Sequence, residues 1–215
     1  MFLAVLLFAA DFSLETQKDV AAPDEVAPAI VRLLERRCLR LKDGKGNTLA
    51  EVWLRASVTV EATDEQISNG LTYAEVPATT LLGVIRLPDS LIDYRKQKVP
   101  AGVYTLRLAI QPPTGDHMGT APHAEFAILC SASEDRKAER MEAKTLIETS
   151  TKINSDHPSV MVLFPGHKDA TPDPKLVDKG KGHQVLFAQM TAASAKGKKA
   201  ILPVGFTLVG VSAAR

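Results

Sequence analysis

Three side chains in and beside one proline-rich segment are the strongest candidates for chemistry in this chain of 215 residues. Asp116, His117 and His123 lie within or next to QPPTGDHMGTAP, residues 111–122. Imidazole nitrogens bind zinc, copper and nickel, and a carboxylate completes or orients such a ligand set. Two histidines six positions apart match no known ligand motif. The simpler interpretation is that Asp116 caps the turn through its own backbone while the histidines form local hydrogen bonds.

The remaining histidines do not extend this set into a larger metal site. His157 and His167 flank an apolar run, and an extended chain of that length separates their Cα atoms by about 25–30 Å. His183 lies in a lysine-rich turn, KGKGH, whose charge opposes a bound cation. The sequence therefore predicts a protein without a bound cofactor, and a copper or zinc site on the three residues above is the alternative.

Motifs for enzymatic chemistry are missing from the sequence, which contains no GxSxG, HExxH, CxxC, GxGxxG or phosphate-binding P-loop. Asp116 and Glu125 are nine positions apart, a spacing that chance produces readily when 24% of the residues are charged. We therefore interpret the chain as non-enzymatic, and a metalloenzyme using the loop histidines stays open. A carbohydrate-binding module, with Trp53 and Tyr73 as stacking rings, is a second alternative. The net charge of +1 gives no footprint for nucleic acid.

The segment 111–122 connects two predicted strands. Val99-Pro100-Ala101-Gly102 has the proline and glycine placement of a type I turn, so a strand is expected to start there. Every second residue of that strand is apolar, the period-2 pattern of a strand with one face against a core. The residues of this face are Tyr104, Leu106, Leu108 and Ile110. The connection is longer than an ordinary hairpin loop, and its prolines stiffen the backbone.

Short strands at intervals predict an all-β domain. Alternating apolar residues mark a strand over residues 50–60. Its second face is mixed and predicts solvent, with Trp53 covering or contacting something there. Further strands are expected at 72–76, 81–87, 124–130, 160–164, 185–190 and 200–211. Residues 63–70 are polar and predict a turn, whereas residues 133–154 are rich in charge with apolar residues at helical spacing, which predicts one helix near 136–152. Strands punctuated by Pro and Gly are typical of a sandwich or barrel.

The first residues predict export. Residues 1–10, MFLAVLLFAA, resemble the apolar part of a secretory signal and are too short to span a bilayer, so the mature protein is not transmembrane. Residues 11–28 predict an extended lead-in, and residues 29–215 a single domain. The expected location is the periplasm or the extracellular space. Cys38 and Cys130 are compatible there with one disulfide, or with two buried thiols.

Two longer stretches carry a resemblance. The first, DYRKQKVPAGVYTLRLAIQPPTGDHMGTAPHAEFAIL, spans Asp93–Leu129, and the second, DHPSVMVLFPG, spans Asp156–Gly166. They resemble a group of uncharacterised exported bacterial proteins, and the shorter PAGVYTL is similar to a turn and strand of extracellular sandwich modules of transthyretin or immunoglobulin type. The resemblance implies an exported β-sandwich. It supplies no catalytic residues, because the group has no assigned activity.

These observations predict a single antiparallel β-sandwich, of immunoglobulin-like, transthyretin-like or jelly-roll type. We expect it to act as a binding or structural module that presents residues 111–122 to a protein or cell-envelope partner. Asp116, His117 and His123 are the candidate binding residues.

Overall fold

Two β-sheets packed face to face make up most of the protein. The computed structural model describes residues 12–111, 121–155 and 157–213. The larger sheet has seven strands in the order β1 (Ser13–Lys18), β2 (Arg37–Lys42), β3 (Thr48–Leu54), β5 (Leu81–Leu87), β8 (Gly102–Ile110), β9 (Glu125–Ser131) and β10 (Val160–Val162). Every neighbouring pair in it is antiparallel. The all-β sandwich predicted from the sequence is confirmed.

A smaller sheet of four strands faces the larger one. Its central strand, β12 (Gln184–Ser194), pairs along almost its whole length with β13 (Lys199–Val209). On its other edge β12 pairs with β11 (Lys175–Asp178) and then, in parallel, with β4 (Ser57–Val60). A separate two-stranded ribbon joins β6 (Leu91–Ile92) to β7 (Lys98–Val99).

Apolar side chains from both sheets fill the space between them. On β8, Tyr104, Leu106 and Leu108 point inward as the period-2 pattern predicts, and they are buried in one cluster with Leu186 and Phe206 of the smaller sheet. Burying each such side chain stabilises the fold by about 1.5–3 kcal/mol relative to an exposed position. This layer is therefore the main core.

The outer face of the larger sheet is covered around Trp53, where the sequence predicts solvent. Residues 20–34, which include α1 (Pro28–Val31), pack Ile30 and neighbouring apolar side chains over the indole ring. The indole Nε1 donates a hydrogen bond to the carbonyl oxygen of Val20 (3.1 Å). Trp53 does contact another segment, but the prediction that its face meets solvent was wrong there, because the chain before β2 folds back over this face.

A helix covers the other part of this outer face. In α3 (Ala143–Thr151), Leu146 is buried with Ile128 of β9 and Val160 of β10. The helix predicted near 136–152 is present, and it begins at Ala143. Residues 135–142 before it are irregular, since hydrogen bonds described below hold them against the sheet.

The first strand falls in the segment 11–28, where the sequence predicts a lead-in outside the sandwich. β1 pairs with β2 over its full length, so the sheet starts earlier in the chain than expected. Residues 1–10, predicted as a signal segment, lie outside the described residues. Within the described ranges, no helix is both long enough and apolar enough to cross a membrane.

Two segments form helical turns that the sequence analysis missed. Residues 64–69 form the helix α2 (Asp64–Asn69) where a turn is predicted, and a 3₁₀ helix (Tyr73–Glu75) replaces a predicted strand. Each begins with a capping box. The side chain of Thr63 or Thr72 accepts a hydrogen bond from a backbone N–H in the first turn. The side chain of Gln66 or Glu75, three residues later, accepts one from the backbone N–H of that threonine. The cap residues were visible in the sequence.

Candidate functional site

The stem of the predicted binding segment is held by the β8–β9 ladder. Ile110 pairs with Glu125, and one residue further the backbone N–H of Gln111 donates to the carbonyl oxygen of Ala124 (2.7 Å). The side chain of Ile110 is 44% exposed beside this stem, although its position in the strand pattern predicts core. The two chains that enter and leave the segment are therefore fixed to each other.

Only one of the three candidate site residues can be located. Asp116 and His117 lie outside the described residues, as do residues 112–120 as a whole. His123 lies on the returning chain, half-buried, with its ring edge-on to Phe164 at a centroid distance of 4.6 Å.

The surroundings of His123 favour its neutral form. Burial lowers the pKa of the imidazole, and the charge of Lys179 lowers it further, while the carboxylate of Glu125 acts in the opposite direction. A neutral imidazole keeps a lone pair free to bind a metal or to accept a hydrogen bond.

His183 belongs to the same ring cluster, which the sequence analysis did not predict. It is 8% exposed, and its ring lies 5.7 Å from that of Tyr94 and 6.5 Å from that of Phe164. Its Nδ1 is 3.0 Å from the carbonyl oxygen of Gly180, and its buried Nε2 has no hydrogen-bond partner among the residues that the structure describes. A Cβ on Gly210 would lie 2.5 Å from this imidazole, so glycine is needed for the C-terminal chain to pass. Within the described residues, no three metal-ligating side chains come together.

Arg107 of β8, the strand that leads to the stem, forms a buried ion pair on the outer face of the larger sheet. Its Nε donates to Asp135 Oδ2 (2.6 Å) and its Nη2 to Asp135 Oδ1 (2.9 Å), and both side chains are almost fully buried. The other N–H groups donate to the carbonyl oxygens of Thr79, Lys137 and Glu139, at 2.9, 2.6 and 3.0 Å. All five donors of the guanidinium are thus satisfied. We call Arg107, Asp135 and these carbonyls the Arg107 clamp.

Thr79 is held by the clamp in a strained conformation. Its φ of 65° is rare for a β-branched residue and costs about 1–3 kcal/mol. Its N–H donates to the carbonyl oxygen of Leu108 (2.8 Å), and its hydroxyl donates to that of Met141 (2.7 Å). Together with the bond from Arg107, these contacts join the chain before β5, the strand β8 and the irregular segment 135–142.

A second charged cluster lies on the same outer face. Glu51 is 2% exposed and accepts from Arg40 Nε (2.9 Å) and Nη2 (2.7 Å) and from Arg86 Nε (2.5 Å) and Nη2. The strand register places Glu15, Arg40, Glu51 and Arg86 side by side on β1, β2, β3 and β5. Lys42 pairs with Glu15 (2.6 Å) at the end of this row. We call these five residues the Glu51 cluster.

Trp53 and Tyr73, the two rings considered for sugar stacking, are buried, and so are Tyr94 and Tyr104. The four residues are between 2% and 6% exposed. Tyr73 has a structural position instead, because its hydroxyl donates to the carbonyl oxygen of Phe164 (3.2 Å) and accepts from the N–H of Gly205 (2.8 Å). The platform predicted from Trp53 and Tyr73 does not form.

The two cysteines are free and lie far apart. Cys38 is on β2 and Cys130 on β9, four strand spacings away in the larger sheet, which corresponds to about 19 Å. A disulfide requires Cα atoms within about 7 Å. Burial raises the pKa of Cys38 to about 11 and that of Cys130 to about 12, so both thiols are unreactive.

Comparisons with known proteins add no function to this geometry. No family model, curated protein or solved structure matches the chain.

Proposed function

We propose that this protein is an exported, non-enzymatic binding module that presents residues 111–122 to a protein or cell-envelope partner. The observation that carries the proposal is the closed stem, in which the Gln111 N–H donates to the carbonyl oxygen of Ala124 at 2.7 Å. The paired strands hold the two ends of the loop next to each other. Binding loops are commonly positioned by a rigid scaffold in this way.

Three further features support this use of the stem. The exposed side chain of Ile110 provides an apolar surface beside the loop, and His123 on the returning chain packs edge-on against Phe164. The Arg107 clamp joins β8, the strand that leads into the loop, to Asp135 and to the carbonyl oxygen of Thr79. These bonds hold the strand in place. Rigid presentation lowers the entropy cost of binding.

The test is a comparison of partner binding with and without the loop. Residues 112–120 are replaced by a short Gly-Ser linker, and the tagged chain is used to recover partners from the native envelope fraction. Any partner recovered is then purified, and its dissociation constant is measured. We expect the partner to bind the unmodified chain and to lose at least about tenfold in affinity for the loop-replaced variant.

A matched control is the turn between β12 and β13. Replacing residues 195–197 with Gly-Ser alters an exposed turn outside the predicted binding segment, and we expect unchanged partner affinity. Equal affinity of the purified partner for all three forms would contradict the proposal. Thermal unfolding of each form establishes that it is folded.

Transition-metal binding is the second candidate function. It is favoured by the surroundings of His123, which lower the pKa of its imidazole. The lowered pKa of its imidazole keeps the ligating form available above acidic pH. Asp116 and His117 are the further candidate ligands, and copper or zinc is the candidate metal. Metal analysis of protein purified without a histidine tag tests this alternative. A stoichiometric metal that is lost in the His117→Ala, His123→Ala double variant would support it, and metal-free protein would exclude it.

Export is tested separately, by the N-terminal sequence of the protein recovered from its native source. We expect the mature chain to start after residue 10 and to be found in the periplasmic or extracellular fraction. A cytoplasmic protein that retains Met1 would contradict this part of the proposal.

A further inference from the structure

A cleft opens at the end of the β8–β9 pair opposite to the loop stem. Its volume is about 310 Å³, within the range of small-molecule sites. The start of β8, the end of β9 and the end of α3 line it, through Pro100, Tyr104, Ser131, Glu134, Lys152 and Ile153. It is distinct from the loop, and no function proposed above uses it.

The floor of the cleft is apolar and fixed. Tyr104 is 5% exposed, and its hydroxyl donates to the carbonyl oxygen of Pro100 (2.8 Å). Gly102 lies against the same ring, where a Cβ would come within 3.1 Å of the hydroxyl oxygen. The ring therefore has little freedom to move. The buried ring backs the cleft, and Pro100, which is exposed, and Ile153, which is partly exposed, offer the preformed surface to an apolar group.

The rim of the cleft carries one charge of each sign. Lys152 Nζ lies 2.5 Å from Glu134 Oε2, and the two side chains are 62% and 44% exposed. An exposed ion pair of this kind contributes only about 0–1 kcal/mol, so a ligand that offers better partners to both groups can open it. Ser131 adds a hydroxyl, which pairs with that of Ser133 (2.9 Å).

We infer that the cleft binds a small zwitterion with an apolar side chain, that is, an apolar α-amino acid. The ligand's ammonium group replaces Lys152 as the partner of Glu134, and its carboxylate replaces Glu134 as the partner of Lys152. Its side chain packs on Pro100 and Ile153, in front of the buried ring of Tyr104. A ligand with one charge would leave one of the two rim groups without its exchanged partner, which is why both charges are required.

The test is titration of the full chain with L-phenylalanine, followed by NMR chemical shifts of the Ser131 and Ile153 amides. Hydrocinnamic acid lacks the ammonium group and phenethylamine lacks the carboxylate. We expect saturable shifts with L-phenylalanine and at least about tenfold weaker binding of each analogue, because each loses one charge-assisted hydrogen bond.

Variants of the rim locate the site. Glu134→Gln and Lys152→Met are each expected to weaken L-phenylalanine binding by about tenfold. The control is the exposed pair Lys144 and Glu148 on the same helix, outside the cleft, where Lys144→Met leaves binding unchanged. All these side chains are largely exposed, and thermal unfolding verifies that each variant is folded. Absence of saturable shifts, or equal binding by the rim variants and the control, would overturn the inference.

Discussion

Two arginine–carboxylate clusters lie on the same outer face of the larger sheet, and they differ in what covers them. In the Arg107 clamp, the chain folds over the ion pair, and backbone carbonyls complete the guanidinium's hydrogen bonds. In the Glu51 cluster, the carboxylate is buried but Arg86 remains 49% exposed in its side chain. The same pairing of residue types therefore serves two purposes.

This difference between the Arg107 clamp and the Glu51 cluster indicates which part of the outer face is more rigid. The clamp joins three segments that are distant in sequence, and its loss leaves a charge without water or a partner. The Glu51 cluster links neighbouring strands that are already paired through their backbones. We therefore expect the clamp to determine stability around β8, and the Glu51 cluster to modulate it.

The largest effect is expected from breaking the clamp. Asp135→Ala leaves Arg107 buried and unpaired, and we expect the free energy of unfolding to fall by about 3–5 kcal/mol. Urea denaturation followed by circular dichroism measures it. The double variant Arg107→Met, Asp135→Leu removes both charges, and we expect it to be more stable than Asp135→Ala alone. A loss below about 1 kcal/mol for the single variant would show that the clamp is dispensable.

A smaller effect is expected at the corresponding carboxylate of the other cluster. Glu51→Gln keeps the shape of the side chain and removes its charge, while Arg40 and Arg86 can reach solvent. We expect a loss of about 1–2 kcal/mol in the same urea experiment. A loss equal to that of Asp135→Ala would remove the distinction between the two clusters.

Arg86→Ala is expected to change stability by less than about 1 kcal/mol, since its side chain is half-exposed and screened. Raising the salt concentration to about 1 M shortens the Debye length to about 3 Å and should reduce this difference further. Salt is not expected to reduce the effect of Asp135→Ala. A similar salt dependence for Arg86→Ala and Asp135→Ala would contradict the difference in burial between the two ion pairs.

The smallest effect is expected at the loop stem, where His123 makes stability depend on pH. Because burial lowers the folded-state pKa of His123 below its ordinary value of 6.5, the unfolded chain binds more protons between these two pKa values. Stability is therefore complete above about pH 6.5 and decreases as the pH falls through the folded-state pKa. His123→Gln should reduce this slope, measured by thermal unfolding between pH 7 and pH 5. An unchanged slope would mean that His123 is not desolvated.

The strands of the larger sheet were largely predictable, and the clamp was not. The alternation from Val103 to Ile110 predicts which residues of β8 face the core, and Tyr104, Leu106 and Leu108 are buried as expected. The same alternation puts Arg107 on the other face, but one strand's periodicity cannot reveal that a later segment covers that face. Asp135 is 28 positions away, within a charged stretch that a sequence reading assigns to a helix.

Of the candidate site, only the paired strands on either side of the loop were predictable from the sequence. Pro and Gly around β8 and the long connection predict a loop between paired strands, and Ile110 and Glu125 do pair at its base. The burial of His183 was not predictable, because it depends on the packing of Tyr94, Phe164 and Gly210 from three other segments. Its lysine-rich neighbours indicate solvent, and long-range packing overrides them.

The ladder of β8 and β9 stays closed up to the base of the loop. Native-state hydrogen exchange of the Gln111 amide tests it most directly, with the exposed turn amide of Lys45, which is bonded to an Asp43 side-chain oxygen, as the reference. We predict that the Gln111 amide exchanges at least about tenfold more slowly than that of Lys45, and that Asp135→Ala reduces its protection. Exchange of Gln111 as fast as Lys45 would mean an open stem and would contradict the account.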